Sequence, residues 1–69
     1  MLLTKELVRF IRQTNRLGQR AFASRLNVSH SYIAMIETGR KPVTAGLSLR
    51  IAREFEIDVD YIENARRFI

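Results

Sequence analysis

Between positions 19 and 36, small and turn-forming residues stand at fixed offsets from apolar ones, and this spacing leaves few ways to fold. Gln19 opens the stretch, Ala23 follows four positions later, and Asn27 four after that. Phe22, Leu26, Val28, Ile33 and Ile36 supply the apolar side chains. Ala23 falls where two successive helices press closest, so a larger side chain would hold them apart. Asn27 falls where the chain must turn sharply through a left-handed backbone, which Gly adopts most cheaply and Asn tolerates. The apolar residues can then share one interior, which fixes the angle at which the second helix projects. Two unrelated amphipathic helices in a small bundle, the alternative, would not need these offsets.

The pattern is that of a helix-turn-helix over residues 19–38, and the rest of the chain also reads as helical. Thr4 begins a first helix that runs to about Asn15, with Leu3, Leu7, Phe10, Ile11 and Thr14 clustered on one side of the wheel. Lys5, Arg9, Arg12 and Arg16 form a stripe on the other side. Leu17-Gly18 is the expected stop, with Gly suited to a helix C-terminus. The second helix spans about Gln19 to Leu26, and the third starts after the N-cap Ser29 and ends near Thr38-Gly39. Arg40-Lys41-Pro42 is a basic loop. Thr44 caps a fourth helix to about Phe55 that buries Leu47, Ile51, Ala52 and Phe55, and Asp58 caps a fifth that carries Val59, Tyr61 and Ile62. The fold class is therefore all-α, a compact five-helix domain filling residues 1–69, with no space for a linker.

Composition narrows the function. Cysteine is absent, which excludes disulfides and thiolate metal sites and fits the cytoplasm. No apolar run reaches transmembrane length, and Met-Leu-Leu lacks a signal-peptide pattern. The net charge of +5 is unevenly spread: residues 1–41 carry +6 and residues 42–69 carry −1. A positive field centred on the helix-turn-helix attracts phosphate. His30 is the sole histidine and has no carboxylate cluster beside it, so no metal or cofactor is expected. The acidic run Glu54-x-Glu56-x-Asp58-x-Asp60 straddles a helix end and a cap, unlike a Ca²⁺ loop. No nucleophile–base set is present, so the chain is not read as an enzyme.

The residues Gln19-x-x-Phe22-Ala23, Asn27-Val28-Ser29, Ile33-x-x-Ile36-Glu37-x-Gly39 and Lys41-Pro42 resemble the lambda-repressor and Cro-like family, the XRE family of helix-turn-helix domains. Ile51-Ala52 with Phe55, then Ile57-Asp58-Val59-x-Tyr61-Ile62, look like its closing helices, and the likeness covers about residues 4–64. Asn27 departs from the Gly often found at that turn. The resemblance implies that the third helix enters the major groove of double-stranded DNA. His30, Ser31 and Met35 match base-contacting positions, and with Ile33 and Ile36 inward the wheel also turns Ala34 and Thr38 outward. His30 and Ser31 can hydrogen-bond to bases, while Ala34 and Met35 suit thymine methyl groups. The helix holds no Arg, Asn or Gln, so specificity is expected to draw on DNA shape as well.

Phosphate contacts are implied for Gln19 at the start of the second helix and for Arg40 and Lys41 past the third. Ser29, Tyr32, Arg16 and Arg20 extend that set, whereas Arg9 and Lys5 are assigned to a solvated face. Ser29 can equally cap its own helix. The family pairing of a helix-one Arg with the Glu before the Gly implies a partly buried ion pair between Arg12 and Glu37.

One such module covers little DNA, so a homodimeric repressor on an inverted repeat is the expected form, of phage Cro-like or restriction–modification controller type. Residues 58–69 are the candidate dimerisation segment, with Ile57, Tyr61, Ile62, Phe68 and Ile69 as candidate interface residues. The tail folding back on the first helix is the competing arrangement. The alternative function is an antitoxin-like module that binds a toxin protein as well as its own promoter.

Overall fold

The computed structural model describes residues 2–69, which form α1 (Lys5–Thr14), α2 (Gln19–Arg25), α3 (His30–Thr38), α4 (Ala45–Phe55) and α5 (Val59–Ala65). Four of these helices start on a side-chain cap. The hydroxyls of Thr4, Ser29 and Thr44 accept from the N–H groups of Leu7, Tyr32 and Leu47 at 3.0–3.1 Å. The Asp58 carboxylate accepts from Tyr61 N–H at 2.8 Å. Each cap satisfies one backbone donor that the helix itself leaves open.

The first four helices also end alike. Arg16, Asn27, Gly39 and Glu56 each take a left-handed backbone, with φ of 56°, 58°, 83° and 55°. The next residue then donates its N–H to the carbonyl five positions back: Leu17 to Arg12, Val28 to Ala23, Arg40 to Met35 and Ile57 to Ala52, at 2.9–3.2 Å. This closure turns the chain within one or two residues and satisfies a terminal carbonyl. It also explains why Leu17, Val28 and Ile57 are apolar, since each folds back onto the core.

The stop expected at Gly18 is displaced. Arg16 takes the left-handed position, so that Leu17 can reach the core, and Gly18 becomes the N-cap of α2 with φ −73°. Of the four left-handed positions only Gly39 is a glycine, and Lys5 overhangs it: a Cβ built there would lie 3.0 Å from Lys5 Nζ.

The core gathers Leu3, Leu7, Val8, Ile11, Phe22, Ala23, Leu26, Ile33, Ile36, Leu47, Ile51, Ile57 and Ala65. The inner face of α1 is Leu7, Val8 and Ile11, rotated from the sequence expectation, which omitted Val8 and included Thr14. The rotation arises because α1 touches two neighbours. Leu7, Val8 and Ile11 enter the core, while Phe10 and Thr14 meet α5 through Tyr61, edge-on at 6.3 Å between centroids and by a 3.0 Å hydroxyl contact. Phe22 of α2 stacks on Phe55 of α4 at 5.2 Å, and Arg50 donates to the Leu26 carbonyl at 2.9 Å. Ser48, a buried polar residue on α4, accepts from Leu3 N–H at 3.0 Å and so ties down the start of the chain. Val59, expected among the apolar residues of α5, is 66% exposed.

The position of α3 is set by a buried carboxylate. Glu37 has a side chain only 1% exposed, and Arg12 of α1 grips it twice, Nε to Oε2 at 2.7 Å and Nη2 to Oε1 at 3.0 Å. Gln19 of α2 donates to Oε1 at 3.2 Å, and Arg9 reaches the same oxygen at 3.4 Å. Arg12 also donates to the Leu17 carbonyl at 3.0 Å, fastening the α1–α2 turn. Burial alone would push the Glu37 carboxyl up. The hydrogen bonds from Arg12, Gln19 and Arg9, with the charge of Arg12, outweigh burial and hold it below the ordinary glutamate range. In return, the bond to Glu37 holds the Arg12 guanidinium charged more firmly than usual.

Three outcomes are expected in chemical denaturation. Glu56→Gly relieves a left-handed strain of about 1–2 kcal/mol but adds chain entropy to the unfolded state, for a net gain of about 0.5–1 kcal/mol. Arg12→Ala strands the Glu37 carboxylate and costs about 3 kcal/mol at pH 7, whereas Arg9→Ala, at a half-exposed and longer contact, costs less than about 1 kcal/mol. The folded carboxyl of Glu37 lies below its unfolded value, so its contribution is complete at neutral pH and fades as pH drops below about 4.3. The stability gap between the parent and Glu37→Gln should therefore narrow between pH 7 and pH 3. A gap independent of pH would mean that the carboxylate charge is not what fixes α3.

Candidate nucleic-acid interface

Along α3 the side chains divide by face. Ile33, Ile36 and Glu37 are buried, His30, Ser31 and Thr38 are exposed, and Tyr32, Ala34 and Met35 are half-buried. Ser31 and Met35, four residues apart, lie one above the other on the helix surface, and Thr38 extends the row. The Thr38 hydroxyl donates back to the Ala34 and Met35 carbonyls at 3.1 and 3.2 Å, leaving only its lone pairs for a partner. The Ser29 hydroxyl accepts from Tyr32 N–H and so keeps its own proton to donate. Tyr32 lines a shallow notch with Val28, Thr44 and Leu47 at the start of α4.

At the start of α2, Gly18 supplies no side-chain cap, so among the described residues the leading N–H groups of this helix receive no cap hydrogen bond. Gln19 stands there with one amide proton committed to Glu37 Oε1. That bond sets the plane of the amide and leaves its second proton and its oxygen available. Arg16 and Arg20 flank this helix start and are exposed. Past α3, the N–H groups of Arg40 and Lys41 both point at the Met35 carbonyl, at 2.9 and 3.3 Å, and their side chains extend into solvent. Among the described residues, Arg16, Arg20, Arg40 and Lys41 enter no ion pair. Cations without an internal partner thus stand at both ends of the α2–α3 unit.

Gln19, expected as a phosphate ligand, and Arg9, expected on a solvated face, both converge on Glu37. A signal for Arg9 was present: it lies three residues before Arg12 on α1, so an acid that meets one is within reach of the other. Lys5 carried no such signal, because its place over Gly39 depends on how α1 crosses the end of α3.

At the opposite end, Ile57 is 6% exposed and belongs to the core, which removes it from the expected dimer face. The αL closure at Glu56 is what turns it inward. Tyr61 and Ile62 are half-buried against the core. Phe68 stacks on Phe10 at 6.2 Å between centroids, so the tail does fold back on α1, yet Phe68 remains 75% and Ile69 53% exposed. Phe10, Thr14, Phe55, Tyr61, Ala65 and Phe68 line an open groove there of about 420 Å³.

No helix among the described residues is long and apolar enough to cross a membrane, and no three of their His, Asp or Glu side chains converge as metal ligands. No curated protein and no solved structure matches the chain. A family model for helix-turn-helix domains matches residues 8–62, from the buried Val8 of α1 to Ile62 of α5, and so spans the Glu37 cluster and both helices of the motif. The chain therefore belongs to the XRE-type helix-turn-helix family of DNA-binding transcription regulators.

Proposed function

We propose that this protein is a sequence-specific regulator that binds an inverted-repeat operator as a homodimer and represses transcription there. The observation that carries the reading is the division of labour on α3. Its inner edge is locked to α1 and α2 through Glu37, while its outer face is open and bordered by cations that enter no ion pair among the described residues. A helix held in this way can enter a major groove as a rigid body.

In this reading His30, Ser31, Ala34, Met35 and Thr38 face base edges. The uncommitted proton of Gln19, the hydroxyl of Ser29, and Arg16, Arg20, Arg40 and Lys41 hold phosphates. Tyr32 supports the backbone set from the side of α4. The exposed Phe68 and Ile69 beside their groove offer the surface for a second copy, and pairing two small modules supplies the affinity that one lacks.

Selection of random duplexes by the purified protein near physiological salt tests this reading. An enriched inverted repeat with half-sites about one helical turn apart is expected. Arg40→Ala should weaken binding to every duplex alike and flatten its salt dependence, whereas Ser31→Ala and Met35→Ala should change which bases are preferred. Equal losses on all sequences for all three variants would overturn the split between backbone and base contacts. Enrichment of no sequence, with a stable heterocomplex on purification, would favour a toxin-binding role.

A further inference from the structure

The geometry points to a phosphate seat formed by Lys5 and Arg9 on the flank of α1, separate from the contacts assigned above and resting on the duplex-binding reading. Lys5, Glu6, Arg9 and Glu37 line a notch of about 290 Å³ where α1 crosses the end of α3. At its floor, the Glu37 carboxylate is already satisfied by the two-pronged grip of Arg12 and the amide of Gln19. Arg9 is therefore a surplus cation. It lies 3.4 Å from Oε1, its Nη2 is 3.4 Å from the Glu37 carbonyl, and its side chain stays 52% exposed.

These long contacts use two of the Arg9 N–H groups and leave its other donors uncommitted. Lys5 also lines the notch, and its Nζ lies over Gly39, the residue that leads into Arg40 and Lys41. The notch thus continues the cationic edge past the end of α3 onto α1. Two cationic residues lining one notch, with the neighbouring carboxylate internally compensated, suit a phosphodiester oxygen pair of the DNA backbone. The exposed Glu6 is the opposing charge at the rim.

The test is the slope of log affinity against log salt, measured for the whole chain on its preferred duplex and on an unrelated one. Each phosphate neutralised on duplex DNA contributes about 0.9 to that slope. The double variant Lys5→Gln/Arg9→Gln should lose about 0.9 on both duplexes and bind several-fold more weakly, with its thermal unfolding little changed because Arg12 keeps Glu37 satisfied. Arg66→Gln, which removes one charge from the tail, should leave the slope unaltered. Arg9→Lys should keep most of it, and Glu6→Gln should bind several-fold more tightly. An unchanged slope in the double variant overturns the seat while the DNA-binding reading stands. Weaker binding without a slope change would assign Arg9 a purely structural role through Glu37, which also overturns it. A parent protein with no salt-dependent duplex binding overturns the seat and the underlying reading together.

Discussion

A single buried carboxylate organises the working half of this molecule. Glu37 is the point where α1, α2 and α3 exchange polar contacts, and four of these contacts converge on its two carboxylate oxygens. Taking a carboxylate out of water is costly, and the arrangement survives because the bidentate guanidinium of Arg12 and the amide of Gln19 replace its hydration. Such an interaction adds less to stability than an apolar contact of similar volume could. What it supplies is direction: apolar residues such as Ile33 and Ile36 tolerate small rotations of α3, whereas a two-pronged ion pair at 2.7 and 3.0 Å does not.

Around that point the fold is assembled from repeated local devices. Four helices begin on a Thr, Ser or Asp cap, and four end in the same left-handed closure. The closures keep the turns short, which lets a small chain enclose a continuous core. They are economical in glycine: Arg16, Asn27 and Glu56 accept a strained backbone because the residue that follows each is drawn into the interior.

Much of this was legible in the residues because it is local. The caps Thr4, Ser29, Thr44 and Asp58 each lie next to an apolar periodic stretch, and Asn27 announces its turn by type. The misplaced stop at Gly18 shows where local reasoning fails. Glycine permits a left-handed turn but does not demand one, and the decision belonged to Leu17, whose burial is a tertiary fact. The inner face of α1 was misjudged for a related reason. A wheel assumes one neighbour, and α1 has the core on one side and Tyr61 on another. The burial of Ile57 likewise depends on the turn at Glu56, which nothing in its residue type foretells. The face division of α3 followed from Ile33 and Ile36 alone, but the triple attachment of Glu37 needed three helices to be in place.

The two edges of α3 also differ in what they are free to become. Ile33, Ile36 and Glu37 are each engaged with other helices, so a change there is felt throughout the domain. Among the described residues, the side chains of Ser31, Ala34 and Met35 make no hydrogen bond or ion pair. Their replacement leaves every polar tie that positions the helix intact. A lineage descended from this chain could therefore explore new surface chemistry on that edge by single substitutions, each passing through a folded intermediate, without first acquiring compensating changes elsewhere.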